Sequence, residues 1–205
     1  MKTLELFSGT KSFSKVMAKY GHKTFTIDND PKLEPDLVED IFKLSVKDLP
    51  YKPDIIWASP PCQAFSVAAI GKNWNKNGTP KHDRALLAQD LVLKTIELIK
   101  ELKPKYWFIE NPRGMLRKMP FMKELPRYTV TYCQYGDTRM KPTDIWTNLE
   151  GWTPKKCKNG DTCHISAPRG SKTGTQGIKG AKDRGVIPPL LFEEFLKQIT
   201  NLKEK

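Results

Sequence analysis

The sequence predicts an α/β fold: a doubly wound sheet followed by a small basic C-terminal appendage. Two observations carry that expectation. Over the first 150 residues, short apolar runs alternate with amphipathic stretches, the pattern of βαβ units feeding a parallel sheet. From Gly151 to Gly185 the periodicity is lost, and eight Lys or Arg stand against two Asp among many Gly, Ser and Thr. We therefore expect a domain over residues 1–150 and a basic, loop-rich segment with a terminal helix over 151–205. A chain of 205 residues has little room for a second full core.

The elements follow in order. Leu4 to Phe7 is a short apolar run that ends at Ser8-Gly9, a tight turn able to open a helix. Ser12 to Tyr20 places Phe13, Val16, Met17 and Tyr20 on one helical face. Lys23 to Ile27 forms a second strand, ending at Asp28. A third strand, Asp54 to Ala58, is cut off by Ser59-Pro60-Pro61, which cannot continue a ladder. Asp83 to Leu102 makes a long helix with Leu86, Leu87, Leu91, Leu93, Ile96 and Ile99 as its apolar face, and Pro104 ends it. Tyr106 to Ile109 is a buried strand abutting Glu110, and Tyr128 to Tyr132 and Ile145 to Thr147 are further strands. Pro188 to Leu202 closes the chain as a helix, with prolines in the first turn and Leu191, Phe195 and Ile199 recurring at spacing four.

Composition narrows the partners. The hydrophobic fraction of 38% supports a core and excludes a disordered chain. A formal net charge of +12 suits a polyanion, nucleic acid being the usual one, although a lysine-rich surface also serves solubility alone. No apolar run is long enough to span a bilayer and the N-terminus has no signal-peptide core, so we expect a cytoplasmic protein, a monomer, with no membrane partner. In a reducing compartment Cys62, Cys133, Cys157 and Cys163 are then free, catalytic or metal-bound rather than disulfide-paired.

Four chemically suggestive features fall at strand ends: Phe7-Ser8-Gly9, Asp28, Pro61-Cys62 and Glu110. Ligands of open parallel sheets bind there. With these residues in view, the chain resembles the cytosine-C5 DNA methyltransferases across residues 3–148, in the motif order of that family. Leu6-Phe7-Ser8-Gly9 resembles its first cofactor motif, Ile27-Asp28-Asn29-Asp30 the acidic second and Asp40-Ile41 the third. Ser59-Pro60-Pro61-Cys62-Gln63-Ala64-Phe65-Ser66 is similar to the catalytic motif, and Asp83-Arg84-Ala85-Leu86-Leu87 to the one after it. Pro104-Lys105 with Glu110-Asn111 resembles the Glu-Asn motif, and Arg139-Met140-Lys141 stands where the family carries its arginine motif.

The resemblance implies a Rossmann-like, S-adenosylmethionine-dependent methyltransferase acting on DNA. Carbon 5 of cytosine is too weakly nucleophilic to take a methyl group directly. A thiolate added at carbon 6 makes it enamine-like, which is the role implied for Cys62. Basic or dipolar neighbours should lower the pKa of that thiol. Glu110 would act at N3, helped if desolvation raises its pKa. Arg139 or Lys141 would hold the O2 of the base or a nearby phosphate. Phe7, Ser8 and Gly9 would wrap the methionine half of the cofactor, Asp28 and Asn29 the ribose, Asp40 and Ile41 the adenine, with Pro60 lining the site. The base would flip out to be reached. Ala64 to His82, with Gly71 and Gly78 as hinges, reads as a mobile lid meeting phosphate. Gln63, Ser66, Lys72, Lys76, Arg84, Arg169 and Lys172 are the candidate DNA contacts.

Departures from the family set further expectations. Lys11 and Ser12 replace family glycines, Pro112 follows Glu110-Asn111 in place of valine, and no late Gly-Asn-Ser motif is found to complete the cofactor pocket. A large target-recognition domain is absent from this sequence, which leaves residues 152–184 for recognition. Cys157, Cys163 and His164 could hold a structural zinc, with Cys133 the best fourth ligand, or could be free thiols in a loop. Methylation of cytosine in RNA by the same attack is compatible with the motifs. Ser59-Pro60-Pro61 also resembles the motif of the amino-methylating enzymes, which have an aromatic residue where Cys62 stands. A catalytically inactive nucleic-acid-binding homologue is the alternative from another class, opposed by the retention of both Cys62 and Glu110.

Overall fold

Ile55–Ala58 (β4) is fully buried, the mark of a strand covered on both faces. The computed structural model describes residues 1–165 and 180–202. Around β4 it arranges β1 (Lys2–Leu6), β2 (Lys23–Asp28), β3 (Leu37–Val38), β5 (Tyr106–Pro112), β6 (Arg127–Thr131) and β7 (Pro142–Thr147). Together they form one seven-stranded sheet in the order β3-β2-β1-β4-β5-β7-β6. All neighbouring pairs are parallel except those made by β7, which runs antiparallel to both β5 and β6. The expected all-parallel sheet is thus broken at one strand. Only residues 132–141 join β6 to β7, too few for a crossover helix, so the chain turns straight back.

The period of two along β4 splits the core into halves. Ile55 and Trp57 face one cluster, with Phe13, Val16 and Met17 of α1 (Ser12–Lys19) and Leu191, Phe192, Phe195, Leu196 and Ile199 of α5 (Pro189–Asn201). Ile56 and Ala58 face the other, with α3 (Asp83–Leu102) and the short α2 (Ile70–Asn73) on that side of the chain. Helix α5 therefore joins the core of the sheet: Phe192 and Phe195 lie against Trp57 at centroid distances of 4.8 and 6.0 Å. Of the expected basic segment, the described residues 152–165 form loops and turns, and Ala181–Gly185 form a short helix (α4).

Two helical faces differ from their expected composition. In α3 the buried stripe is Ala85, Ala88, Val92, Thr95, Leu98, Ile99 and Leu102, whereas Leu86, Leu87 and Leu93 are exposed. The buried stripe thus begins with the small Ala85 and Ala88 and continues with larger residues, while Leu91 and Ile96 are partly buried against the same core cluster. In α1, Tyr20 is exposed and follows the helix as its C-cap rather than continuing its apolar face.

The order of strands reverses between β1 and β4: β2 and β3 build outward from β1 on one side, β4 and β5 on the other. The loops leaving β1 and β4 diverge at this switch and open a crevice. Among the described residues no helix is long and apolar enough to cross a membrane.

Candidate active site

The loop after β1 carries unusual backbone. Phe7, Gly9 and Lys11 all have left-handed φ, of 55, 48 and 55°. Gly9 takes this without cost; Phe7 and Lys11 do so under strain, the kind that surrounding structure must hold in place. That structure is visible. The Gly9 amide donates to Asp28 Oδ2 at 3.0 Å, and the Phe13 and Ser14 amides donate to the carboxylate of Glu5 at 3.3 and 2.9 Å. Glu5 is buried, and burial pushes its pKa up to about 7 despite those amides. Asp28 also accepts from the Asp30 amide at 3.1 Å.

These groups line a cavity of about 590 Å3, inside the range of roughly 300–1,000 Å3 usual for small-molecule clefts. Phe7, Ser8, Gly9, Asp28, Asn29 and Pro60 form one part of its wall; Cys62, Gln63, Glu110 and Lys141 form another. A smaller adjoining pocket of about 60 Å3 shares Phe7, Asp28 and Asn29 and adds Asp40 and Ile41. Ile41 is buried there, while Asp40 caps its own turn by accepting from the Phe42 amide at 3.0 Å. Ser8 Oγ is buried and has no hydrogen-bond partner among the described residues.

The loop that carries Cys62 is fixed from below. Asn111, next to Glu110 on β5, donates to the Pro60 carbonyl at 3.0 Å, and the Phe65 and Ser66 amides return to the Cys62 carbonyl at 3.0 Å each. Gly114 sits against this loop so tightly that a Cβ would lie 2.2 Å from the Phe65 carbonyl oxygen. The following stretch is a packed flap rather than a free lid. Phe65 and Trp74 are buried and stacked at 5.3 Å, and Asn73 and Trp74 both donate to the Ala64 carbonyl, at 3.0 and 2.7 Å. Its cations Lys72 and Lys76, and Arg84 on the first turn of α3, are exposed; Ser66 is half-buried, its backbone bridged to Gly114. Arg169 and Lys172 lie outside the described residues.

Electrostatics corrects one expectation and meets another. Burial pushes the Cys62 thiol up, and Glu110 adds to the rise, against Lys141 and Arg184, which oppose it. The basic neighbours do not win in the protein alone. Burial likewise raises the Glu110 carboxyl, as expected, with Lys141 and hydrogen bonds from Tyr132 and Ser59 pulling the other way. Tyr132 donates to Glu110 Oε1 at 3.1 Å.

Arg139 and Lys141 part company. Arg139 is buried, paired in bidentate fashion with Asp137, and donates to the carbonyls of Asp183, Arg184 and Val186 at 3.2, 3.3 and 3.1 Å. It is a clamp on the chain before α5, not a wall of the cavity. Lys141 does line the cavity, 4.7 Å above the Tyr132 ring, with its ammonium on the Arg184 carbonyl at 3.0 Å. The clamped segment closes the site: Arg184, Gly185 and Ile187 line the cavity, and the Ile187 amide donates to Ser12 Oγ at 3.2 Å. Closure thus comes from residues 184–187, where no late motif was recognised. Gly185 and the Pro188-Pro189 entry into α5 were the available signal. Glu5, an acid inside an apolar strand, was another. Ser59 and Tyr132 had none.

Residues 1–123 match the C-5 cytosine-specific DNA methylase family. The chain belongs to that family. This methylase is 32% identical over 218 residues to a frog virus 3 (isolate Goorha) protein named "Probable DNA (cytosine-5)-methyltransferase", covering 96% of this chain and 99% of that one. It is 39% identical over 107 residues to the type II methyltransferase M1.HgaI of Avibacterium volantium, covering 51% of this chain but only 28% of the relative. Among solved structures, the Entamoeba histolytica methyltransferase EhMeth superposes with a TM-score of 0.54 at 14% identity, over 77% of this chain and 57% of its own. That likeness bears on the fold: a Rossmann-like methyltransferase sheet, shared by the methylase described here.

Proposed function

We propose that the chain transfers a methyl group from S-adenosylmethionine to carbon 5 of cytosine in DNA through a transient bond between Cys62 and carbon 6. One observation carries this reading: the strained Phe7–Ser12 loop and Asp28 share a single cavity with Cys62, Glu110 and Lys141. The residues present suit the cofactor. The unpartnered Ser8 Oγ and the Gly9 turn fit its methionine half, Asp28 and Asn29 its ribose hydroxyls, and Ile41 with Asp40 its adenine. When bound, S-adenosylmethionine supplies an electrophilic sulfonium methyl group.

The cytosine must leave the base stack to enter such a cavity, and the net charge of +12 favours a polyanionic substrate. Glu110, whose protonated form burial favours, donates to N3 of the ring as the Cys62 sulfur adds to carbon 6. In its neutral form Glu110 no longer opposes the thiolate, which Lys141 and Arg184 favour. Acid and nucleophile are thus coupled, because the Glu110 charge and the Cys62 thiolate disfavour each other. After carbon 5 is methylated it loses its proton to water, Cys62 is expelled, and N3 returns its proton to Glu110.

The test is tritiated methyl transfer to duplex DNA and, in parallel, to RNA, with the modified nucleoside identified by mass spectrometry. We expect 5-methyl-2′-deoxycytidine. Label on RNA alone would overturn the DNA assignment, and a methyl group on the exocyclic nitrogen would overturn the chemistry.

A further inference from the structure

Three thiols and an imidazole converge away from the cavity. Cys133 stands on the 3-10 turn that follows β6, Cys157 on the loop after Trp152, and Cys163 with His164 beyond the Asn159-Gly160 turn. Their four ligand atoms all lie within 4.8 Å of one another. Cys133 Sγ is 3.7 Å from Cys163 Sγ, and His164 Nδ1 is 3.7 Å from Cys157 Sγ and 3.6 Å from Cys163 Sγ. A tetrahedral zinc with Zn–S of about 2.3 Å sets its ligands about 3.8 Å apart, so these edges are those of an ion-sized tetrahedron. A fourth edge, Cys133 to Cys157 at 3.1 Å, is far longer than the roughly 2.05 Å of a disulfide, and the other two lie within 4.8 Å.

We propose that Cys133, Cys157, Cys163 and His164 bind one structural zinc ion. The chemistry of the donors favours a borderline-soft tetrahedral ion over the hard, oxygen-seeking cations. All four positions are taken by protein atoms, which leaves no open coordination site and marks a structural rather than catalytic centre. The surrounding backbone is already turned to suit it. The Cys157 amide donates to Thr131 Oγ1 at 2.8 Å, the Lys158 amide to Asp161 Oδ2 at 2.7 Å, and the Ile165 amide to the Thr138 carbonyl at 2.9 Å. His164 Nε2 is buried without a hydrogen-bond partner among the described residues, while Nδ1 faces the Cys157 and Cys163 sulfurs.

The location gives the ion a purpose. The loop from Trp152 to Ile165 supplies few apolar side chains of its own, and a metal would tie it to the end of β6. Cys133 directly follows Tyr132, the donor to Glu110, so the ion would stiffen the backbone from which that hydrogen bond is made.

The experiment measures metal in the full-length protein by inductively coupled plasma mass spectrometry after gel filtration, then exchanges the ion for cobalt(II). We expect one zinc per chain and the visible ligand-field bands of tetrahedral cobalt–thiolate coordination. Cys157→Ser should lose that stoichiometry, while Cys62→Ser should retain it, which separates this site from the proposed nucleophile. Should Cys157→Ser fail to fold, counting the thiols of the unmodified protein decides: Ellman's reagent should find Cys62 alone reactive until a chelator is added. Metal well below one per chain, iron in place of zinc, or an intact mass showing a Cys133–Cys157 disulfide would each overturn the proposal.

Discussion

At the scale of single residues, the sharpest consequence concerns the pair Cys62 and Glu110. The glutamate charge is one of the two causes that raise the thiol. Glu110→Gln removes it, so Cys62 should ionise at lower pH, and its alkylation by iodoacetamide, followed on the Cys62 peptide, should speed up near neutral pH. Methyl transfer should move the other way, falling by about 10²–10⁴-fold because the donor to N3 is gone. Slower alkylation in the variant would refute the coupling. Lys11 offers a test of stability instead. Its φ of 55° is one that glycine adopts freely, and the left-handed region costs other residues about 1–2 kcal/mol. Lys11→Gly should therefore stabilise the protein by up to about 1 kcal/mol in chemical denaturation, once the greater freedom of unfolded glycine is subtracted. The expected side-chain roles were legible where a motif carried them, as at Cys62 and Glu110. Tyr132 and Ser59 were not, because their contact with Glu110 is made by folding alone.

Among the elements, the segment entering α5 links the basic part of the chain to the cavity. Arg139 holds it through three carbonyls while Asp137 holds Arg139. Burial still works against the Asp137 carboxylate, but its bonds to Arg139 prevail and keep its pKa low. Arg139→Gln would leave that carboxylate without its partner and free residues 183–186. We expect weaker S-adenosylmethionine binding by calorimetry, by roughly tenfold or more, and a stability loss of about 3–5 kcal/mol from breaking a buried pair. Unchanged cofactor affinity would mean that the clamp does not shape the site. Sequence spacing could place basic residues near position 140, but could not tell Arg139 from Lys141. Their separation depends on the turn after β6, where Lys141 takes a left-handed φ of 24° and points its ammonium into the cavity wall. The face of α3 differs for a related reason: leucine content suggests a buried stripe, but tertiary packing sets which face turns inward, and Ala85 and Ala88 lie on it while Leu86 and Leu87 do not.

For the whole molecule, the sheet order explains why dispersed motifs meet. Phe7 to Gly9 leaves β1, Cys62 follows β4, and Glu110 lies on β5, three neighbouring strands flanking the point where the winding reverses. Alternating apolar runs were enough to predict that sheet. The reversed β7 was not predictable from them, since periodicity of two carries no direction, and α5 showed its apolar spacing without revealing that it would close over Trp57. The central claim is that all this architecture delivers a sulfur atom to carbon 6 of an extruded cytosine. The most direct measurement is incubation of the protein and S-adenosylmethionine with duplex DNA containing 5-fluorocytosine, where fluorine cannot leave as a proton does. A denaturant-resistant protein–DNA adduct, mapped to Cys62 and missing in Cys62→Ala, is the predicted result; an adduct at another residue, or methylation that persists in Cys62→Ala, would contradict it.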